Sequence, residues 1–114
     1  MKQNEIWLIS LDPTIGAEIK KTRSAVIIND NALGKLPLKI IVPITDWKDN
    51  YSIAPWMVKI ESSSQNGLAK TSSIDCFQVR SVSKTRFVKK LGTIDVSLRE
   101  KIKFALSKAL SLHL

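Results

Sequence analysis

Short runs of β-branched and aromatic residues, separated by turn residues, fill the first two thirds of the chain and constrain its fold more than any other feature. Such runs are typical of strands that are buried on one or both faces. They predict strands at residues 5–11, 25–28, 36–45, 56–61 and 74–82. Residues 12–23 begin with Asp-Pro-Thr-Ile-Gly and are predicted to form a loop, because Pro fixes φ and Gly tolerates positive φ.

The last third of the chain changes to a helical period. Residues 83–91 are predicted to form a short helix that ends at Gly92, and Ser97 with Glu100 matches a capping box that opens a second helix. In that helix one apolar stripe follows a 3.6-residue period: Leu98, Ile102, Ala105, Leu106, Ala109 and Leu110. Strands first and helices last predict one domain over residues 1–114, mainly β with a C-terminal helix, as a small curled sheet or partly closed barrel.

The charge of the chain is strongly basic. Its 114 residues contain 18 Lys and Arg against 10 Asp and Glu, a net charge of +8. Residues 80–103 alone contain eight basic and two acidic residues. A small domain with this balance attracts polyanions or acidic peptides, so nucleic acid is one of two partner classes that the charge favours.

Several chemistries are excluded by residue counts. A single His (His113) and a single Cys (Cys76) cannot form a disulfide, a zinc site or a two-histidine ribonuclease site. The acids are scattered, and no glycine-rich phosphate loop is present. We therefore expect neither a metal nor an organic cofactor. No apolar run approaches roughly 20 residues, and the first ten residues lack a signal-peptide pattern, so we expect a cytoplasmic protein without membrane contact.

The remaining polar residues suit phosphodiester chemistry. Arg, Lys, Thr, Ser and Gln can bind a phosphate and stabilise a phosphorane by charge and hydrogen bonds. RNA fits this set because its 2′-hydroxyl is an internal nucleophile, which leaves orientation and electrostatics to the protein.

Six segments, in this order and spacing, resemble the MazF/PemK-type toxins of bacterial toxin–antitoxin pairs. They are EIWLISLDPTIGAEIKKTR (5–23), VIINDNALGKLPLKIIVPIT (26–45), PWMVKIE (55–61), QNGL (65–68), FQVRSVSKTRFVKKLG (77–92) and the final amphipathic helix. The resemblance covers almost the whole chain. It implies a small SH3-like curled β-barrel with a C-terminal helix, assembled as a homodimer.

The same resemblance implies a function. It indicates a sequence-specific, metal-independent endoribonuclease toxin that cuts single-stranded mRNA, inhibits translation and arrests growth. The expected products carry a 2′,3′-cyclic phosphate and a 5′-hydroxyl. A cognate antitoxin with an acidic, partly disordered tail should block the RNA groove.

The resemblance also transfers roles to individual residues. The catalytic arginine falls on Arg23, whose planar guanidinium suits the non-bridging oxygens of a phosphate, and its hydroxyl partner falls on Thr45. Six further residues are predicted to bind RNA: Glu18, Lys20, Lys21, Trp47, Gln78 and Arg80. Of these, Gln78 and Arg80 are expected on one face of the strand at 74–82, and Trp47 is expected to stack on a base.

Four positions depart from the pattern of the relatives, and two other functions stay open. Asn4 replaces a usual Gly, Ala17 a commoner Ser, Ser24 a usual Pro, and Phe77 an acidic residue implicated in catalysis in some relatives. A CcdB-like toxin that poisons DNA gyrase, and an inactive RNA- or peptide-binding module, are therefore alternative interpretations.

Overall fold

A curled antiparallel sheet and one C-terminal helix form the protein. The computed structural model describes residues 1–11 and 22–112. In this part of the chain the strands are β1 (Glu5–Ser10), β2 (Thr22–Ile27), β3 (Leu38–Asp46), β4 (Met57–Ile60), β5 (Ser72–Asp75), β6 (Arg80–Ser83) and β7 (Phe87–Thr93), followed by helix α1 (Val96–Leu110). Short 3-10 turns occupy Asn31–Leu33, Asp49–Ile53, Cys76–Gln78 and Lys84–Arg86. The predicted fold class, mainly β with a C-terminal helix, is confirmed.

Strand β3 organises the sheet. The strand order is β4-β5-β3-β2-β1-β7, and β6 also pairs with β3. One edge of β3 pairs with β2, while β6 pairs with its first half and β5 with its second half. Because only the 3-10 turn Lys84–Arg86 separates β6 from β7, and β7 pairs with β1, the sheet curls back on itself.

The two faces of the sheet bury two separate cores. Alternate residues of β1, β2 and β3, such as Ile6, Val26 and Val42, pack with α1 through Ile102 and Ala105 in what we call the helix-side core. The intervening residues form a second core on the opposite face: Ile9, Ala25, Ile27, Ile41 and Val82. Both sets are almost fully buried, which explains why the apolar runs at 25–28 and 36–45 lack simple alternation.

Two predicted elements differ from the structure. The predicted strand at 74–82 is interrupted, because the Asp75 carboxylate accepts from the Phe77 N–H and turns the chain into the 3-10 segment Cys76–Gln78. The predicted helix at 83–91 is wrong, since most of this stretch is β7, paired with β1. Residues 87–88 are Phe-Val, which favour a strand, and pairing with β1 overrides the helical pattern.

Gly92 has a different role from the predicted helix stop. It lies within β7, where a Cβ atom would come within 2.2 Å of the backbone oxygen of Gln65. The turn at residues 62–67 therefore packs directly on the backbone of β7, and it is held by Asn66, whose amide bonds the backbone of Glu61, Ser63 and Leu68.

The C-terminal helix is confirmed, but its start is not the predicted capping box. Asp95 is the N-cap, and its carboxylate accepts from the Leu98 N–H at 2.8 Å. An Asp side chain at this position satisfies an otherwise free backbone N–H. The apolar stripe packs on the helix-side core as far as Leu106, whereas Leu110 is 53% exposed.

No helix in residues 1–11 and 22–112 combines the length and apolar character that crossing a bilayer requires.

Candidate active site

The second half of β3 carries Thr45 at one end of a row of polar residues. Thr45 pairs with Ser73 of β5, and Ser73 pairs with Lys59 of β4. Residues paired directly across antiparallel strands lie on the same face, so these three side chains form one row on the face opposite the helix-side core. Thr45 is partly exposed and Lys59 is exposed, while Ser73 is buried with its hydroxyl donating to the Met57 sulfur.

Arg23 lies in β2 rather than in the predicted loop, because β2 already begins at Thr22. Its cross-strand partner in β1 is Ile9, and its side chain is exposed. The register of β2 with β3 pairs Ala25 with Pro43. That is the last pair between these strands, and Arg23 and Thr45 each lie two residues beyond it, so their side chains are on the same face of the sheet.

The Gln78 side chain is held at the same face of the sheet by a hydrogen bond to the buried carboxylate of Asp75. Asp75 is only 7% exposed and follows Ser73 by two residues in β5, so its side chain shares the face of Ser73 and Thr45. The side-chain amide nitrogen of Gln78 donates a hydrogen bond to Oδ2 of Asp75 at 2.8 Å. Gln78 itself is exposed.

Arg80 begins β6 and does not share a strand with Gln78, contrary to the sequence prediction. It pairs with Ile41 of β3, and Ile41 faces the same side of β3 as Thr45. Although the strand is interrupted, both side chains lie on one side of the sheet: Gln78 belongs to the 3-10 segment and Arg80 to β6. Both are exposed or partly exposed.

Trp47 follows β3 and packs against charged and aromatic neighbours. The Lys59 ammonium lies 5.0 Å from the centre of its ring, and Tyr51 meets it edge to face at 6.0 Å. The indole is therefore next to the Thr45 row, with its orientation set by Lys59 and Tyr51.

Three of the predicted RNA-binding residues, Glu18, Lys20 and Lys21, lie outside the described residues. The same is true of Ala17 and His113.

Cys76 is buried next to this region but is chemically inert at neutral pH. Burial, with a smaller contribution from the charge of Asp75, raises the pKa of the thiol to about 12. A protonated thiol is a poor nucleophile. Within residues 1–11 and 22–112, no group of three or more His, Cys, Asp or Glu side chains is arranged to hold a metal ion.

The site therefore combines cations, neutral hydrogen-bonding groups and one buried carboxylate. Arg23, Lys59 and Arg80 supply positive charge on the face of Thr45, with Arg80 four residues away along β3. Gln78 adds a polar amide that is held by Asp75. Such a set can bind a phosphodiester and stabilise charge that develops on its oxygens. Among residues 1–11 and 22–112, the Arg23 guanidinium and the Thr45 hydroxyl have no hydrogen-bond partner.

Sequence reasoning missed Lys59, Ser73 and Asp75. The alternation of WMVKIE placed Lys59 on a solvent face but gave no partner for it. Ser73 and Asp75 carried no signal, because only the pairing of β5 with β3 and β4 brings them beside Thr45.

With this geometry established, comparison with known proteins identifies the class. Residues 2–110 match the family model of the PemK-like, MazF-like toxins of type II toxin–antitoxin systems. The chain belongs to this family. It is 30% identical over 113 residues to the endoribonuclease PemK of Escherichia coli, covering 97% of this chain and 83% of PemK. It is 29% identical over 113 residues to the endoribonuclease MazF of Staphylococcus saprophyticus, covering 99% of this chain and 93% of that protein.

Solved structures share the fold. An endoribonuclease from a mycobacterial species, in complex with its cognate antitoxin, superimposes with a TM-score of 0.80 at 18% identity, covering 100% of this chain and 98% of that one. MazF from Deinococcus radiodurans gives a TM-score of 0.77 at 18% identity, with 98% and 97% covered. These structures show the shared fold, and the match over residues 2–110 confirms the family resemblance that the sequence predicts.

Proposed function

We propose that this protein is an endoribonuclease toxin that cuts single-stranded RNA without a metal ion and is neutralised by a cognate antitoxin. The alignment of Arg23 and Thr45 on one face of the sheet carries the proposal. Two relatives that match nearly the whole chain are named endoribonucleases, and one structural neighbour is bound to its antitoxin.

The proposed reaction is a transesterification within the RNA. The 2′-oxygen of the ribose attacks the adjacent phosphorus, a new P–O bond forms, and the bond to the 5′-oxygen of the next nucleotide breaks. The 2′-oxygen loses a proton and the leaving 5′-oxygen gains one, which gives a 2′,3′-cyclic phosphate and a 5′-hydroxyl end. No redox change or second substrate is needed.

Arg23 and Thr45 have distinct roles in this scheme. The guanidinium donates two parallel hydrogen bonds to the non-bridging oxygens, whose negative charge grows in the transition state. The Thr45 hydroxyl hydrogen-bonds the same phosphate and fixes its position relative to the 2′-oxygen. The Lys59 ammonium, in the same row as Thr45, adds positive charge.

The partners follow from charge and exposed surface. A net charge of +8 favours RNA and an antitoxin with an acidic tail as partners. The proposed site of action is the cytoplasm, where mRNA is translated. Leu38 and Ile40 lie on one face of β3 and are 47% and 40% exposed, which supports burial against a second copy in a homodimer.

The test is cleavage of a long single-stranded RNA in EDTA, with the product ends identified by sequencing. The intact protein should produce discrete fragments with 5′-hydroxyl ends. Arg23→Ala should lower the rate by a factor of about 100 or more, in line with the loss of one group that stabilises transition-state charge. Its far-UV circular dichroism should be unchanged, because Arg23 is exposed.

Arg99→Ala is the matched control, because Arg99 lies on α1, on the other side of the sheet, and its loss should leave the rate unchanged. Full activity of Arg23→Ala would remove this residue from the mechanism. Intact RNA together with inhibition of DNA gyrase supercoiling would support the CcdB-like alternative instead, and salt-sensitive RNA binding without cleavage would indicate an inactive binding module.

A further inference from the structure

Asp75 is a buried carboxylate whose two oxygens have different partners. It is 7% exposed at the end of β5. Its Oδ1 accepts from the Phe77 N–H at 3.1 Å, which fixes the rotation of the carboxylate. Its Oδ2 accepts from the Gln78 side-chain nitrogen at 2.8 Å. Asp75 therefore holds the first turn of the 3-10 segment and the exposed amide of Gln78 at the same time.

This contact fixes which end of the Gln78 amide meets the solvent. An ionised carboxylate has acceptors only, so the amide must direct its NH₂ group toward Asp75. The Gln78 carbonyl oxygen is then the atom presented outward. An exposed glutamine normally offers a donor or an acceptor with equal ease, whereas this one is biased to offer an acceptor.

The carboxylate that holds Gln78 lies on the same face of the sheet as the proposed reacting centre. Asp75 is two residues from Ser73 in β5, a distance of about 7 Å along the strand, and Ser73 is paired with Thr45. The side chains of Asp75, Ser73 and Thr45 share one face of the sheet. A phosphate held at Thr45 brings the nucleotide attached to it within reach of the Gln78 side chain.

We propose that Gln78 reads the base beside the cleaved phosphate as a hydrogen-bond acceptor, and that Asp75 is the positioning residue that sets this polarity. The inference deepens the proposed function and rests on it. Adenine, cytosine and guanine each present an exocyclic amino donor, so the Gln78 oxygen favours these three bases. Uracil is disfavoured at this position, because its O4 is an acceptor and its N3–H is flanked by two carbonyl oxygens.

Asp75→Asn tests the polarity directly. The amide oxygen of the substituted side chain can still accept from the Phe77 N–H, which leaves the new NH₂ group facing Gln78. Gln78 must then turn its oxygen inward and present its own NH₂ group to the base. We expect the preference at this position to reverse, from the amino-bearing bases adenine, cytosine and guanine toward uracil, by roughly tenfold, the size of one hydrogen bond made or lost.

The readout is the distribution of bases next to the cut site, from end sequencing of a long RNA of random composition. Gln78→Ala removes the amide that contacts the base without altering Asp75. It should abolish the base preference at this position while cleavage continues. Asp46→Asn is the matched control, because Asp46 is an exposed acid on β3 that pairs with Lys70, and it should leave the preference unchanged.

The outcomes separate this inference from the proposed function. Cleavage by the intact protein, with the same base preference in Asp75→Asn and Gln78→Ala, overturns the inference alone. A slower Asp75→Asn with an unreversed preference assigns Asp75 a purely structural role and also overturns it. If Asp75→Asn does not fold, Gln78→Ala decides. No cleavage by the intact protein overturns the proposed function and this inference with it.

Discussion

The polar groups of Arg23 and Thr45 and those of the N-terminal corner of the protein differ in how far they are hydrogen-bonded within the protein. We define the N-terminal corner by Gln3, Asn4, Glu5 and Asn29. There the Asn29 oxygen accepts from the Ile40 N–H, the Gln3 amide donates to the Ile28 carbonyl, and Glu5 accepts from the Trp7 indole. By contrast, the Thr45 hydroxyl and the Arg23 guanidinium have no hydrogen-bond partner among the described residues.

This difference in hydrogen bonding indicates which polar groups contribute to the stability of the fold and which can bind a ligand. A polar group that is already bonded inside the protein contributes to folding and has little left to give a ligand. A polar group left open at a partly exposed position costs little when water solvates it, and it can bind a substrate. Substitutions at the two regions should therefore affect different measurements.

Thr45→Val should produce the largest effect. Valine keeps the shape and β propensity of threonine but removes the hydroxyl. We expect the rate of RNA cleavage to fall about 100-fold, within the range measured for loss of one transition-state hydrogen bond, while the free energy of unfolding changes by less than about 0.5 kcal/mol. The measurements are single-turnover cleavage of a labelled RNA and urea denaturation.

Thr71→Val provides a control for this substitution, because Thr71 is a nearby hydroxyl that bonds Glu61 outside the row. It should retain full activity. A Thr45→Val protein that cleaves at the normal rate, or that is strongly destabilised, would show that Thr45 belongs with the structural residues of the N-terminal corner.

The same contrast explains what can be predicted from the sequence. Arg23 and Thr45 are identified through motif resemblance, since neither position differs locally from an ordinary surface residue. Asp75 is missed because its contact with Gln78 depends on a turn at Cys76–Gln78 that interrupts an apparently continuous strand. The fold class is predictable, because the β-branched runs and the 3.6-residue period of α1 agree with the tertiary structure.

Strand β7 shows why the rest of the fold is not predictable. Its basic, helix-compatible stretch Lys89-Lys90-Leu91 becomes a strand through pairing with β1. Gly92 resembles a helix stop in the sequence, although this glycine is required by close contact with the backbone of Gln65. Long-range contacts of this kind leave no local signal in one sequence.

Glu5→Gln should change how stability depends on pH at the N-terminal corner. Burial acts to raise the pKa of the Glu5 carboxyl, but hydrogen bonds from the Trp7 indole, the Lys2 N–H and the Lys90 ammonium outweigh it and lower the pKa from 4.5 to about 2. The ionised form therefore stabilises the folded state above pH 4.5. This contribution is lost as the pH falls from 4.5 toward 2.

Glu5→Gln should accordingly be less stable than the intact protein at neutral pH, and the difference should shrink steadily between pH 4.5 and 2. Denaturant unfolding across this range is the measurement, with cleavage at neutral pH as the parallel readout, where no change is expected. A difference in unfolding free energy that is constant with pH would show that the Glu5 charge contributes nothing to folding.

Substitutions of Asn4 should have the smallest effect on the free energy of unfolding, and they test whether the backbone of the N-terminal corner is rigid. Its φ of 74° lies in the left-handed region, where glycine is unstrained, asparagine is tolerated and other residues are strained. Asn4→Gly should leave the free energy of unfolding within about 0.5 kcal/mol of the intact protein, because relief of backbone strain offsets the greater chain entropy of glycine.

Asn4→Ala should lower the free energy of unfolding by about 1 kcal/mol, since alanine has neither the freedom of glycine nor a side chain suited to this conformation. The backbone of Asn4 bonds both the Ile27 carbonyl and the Ile94 N–H, so it cannot relax to a negative φ without breaking the contact between β2 and the segment that leads into α1. Equal stability of the alanine and glycine variants would mean that this backbone bends freely in solution. The N-terminal corner would then owe its stability to side-chain bonds such as those of Glu5 rather than to a fixed main chain.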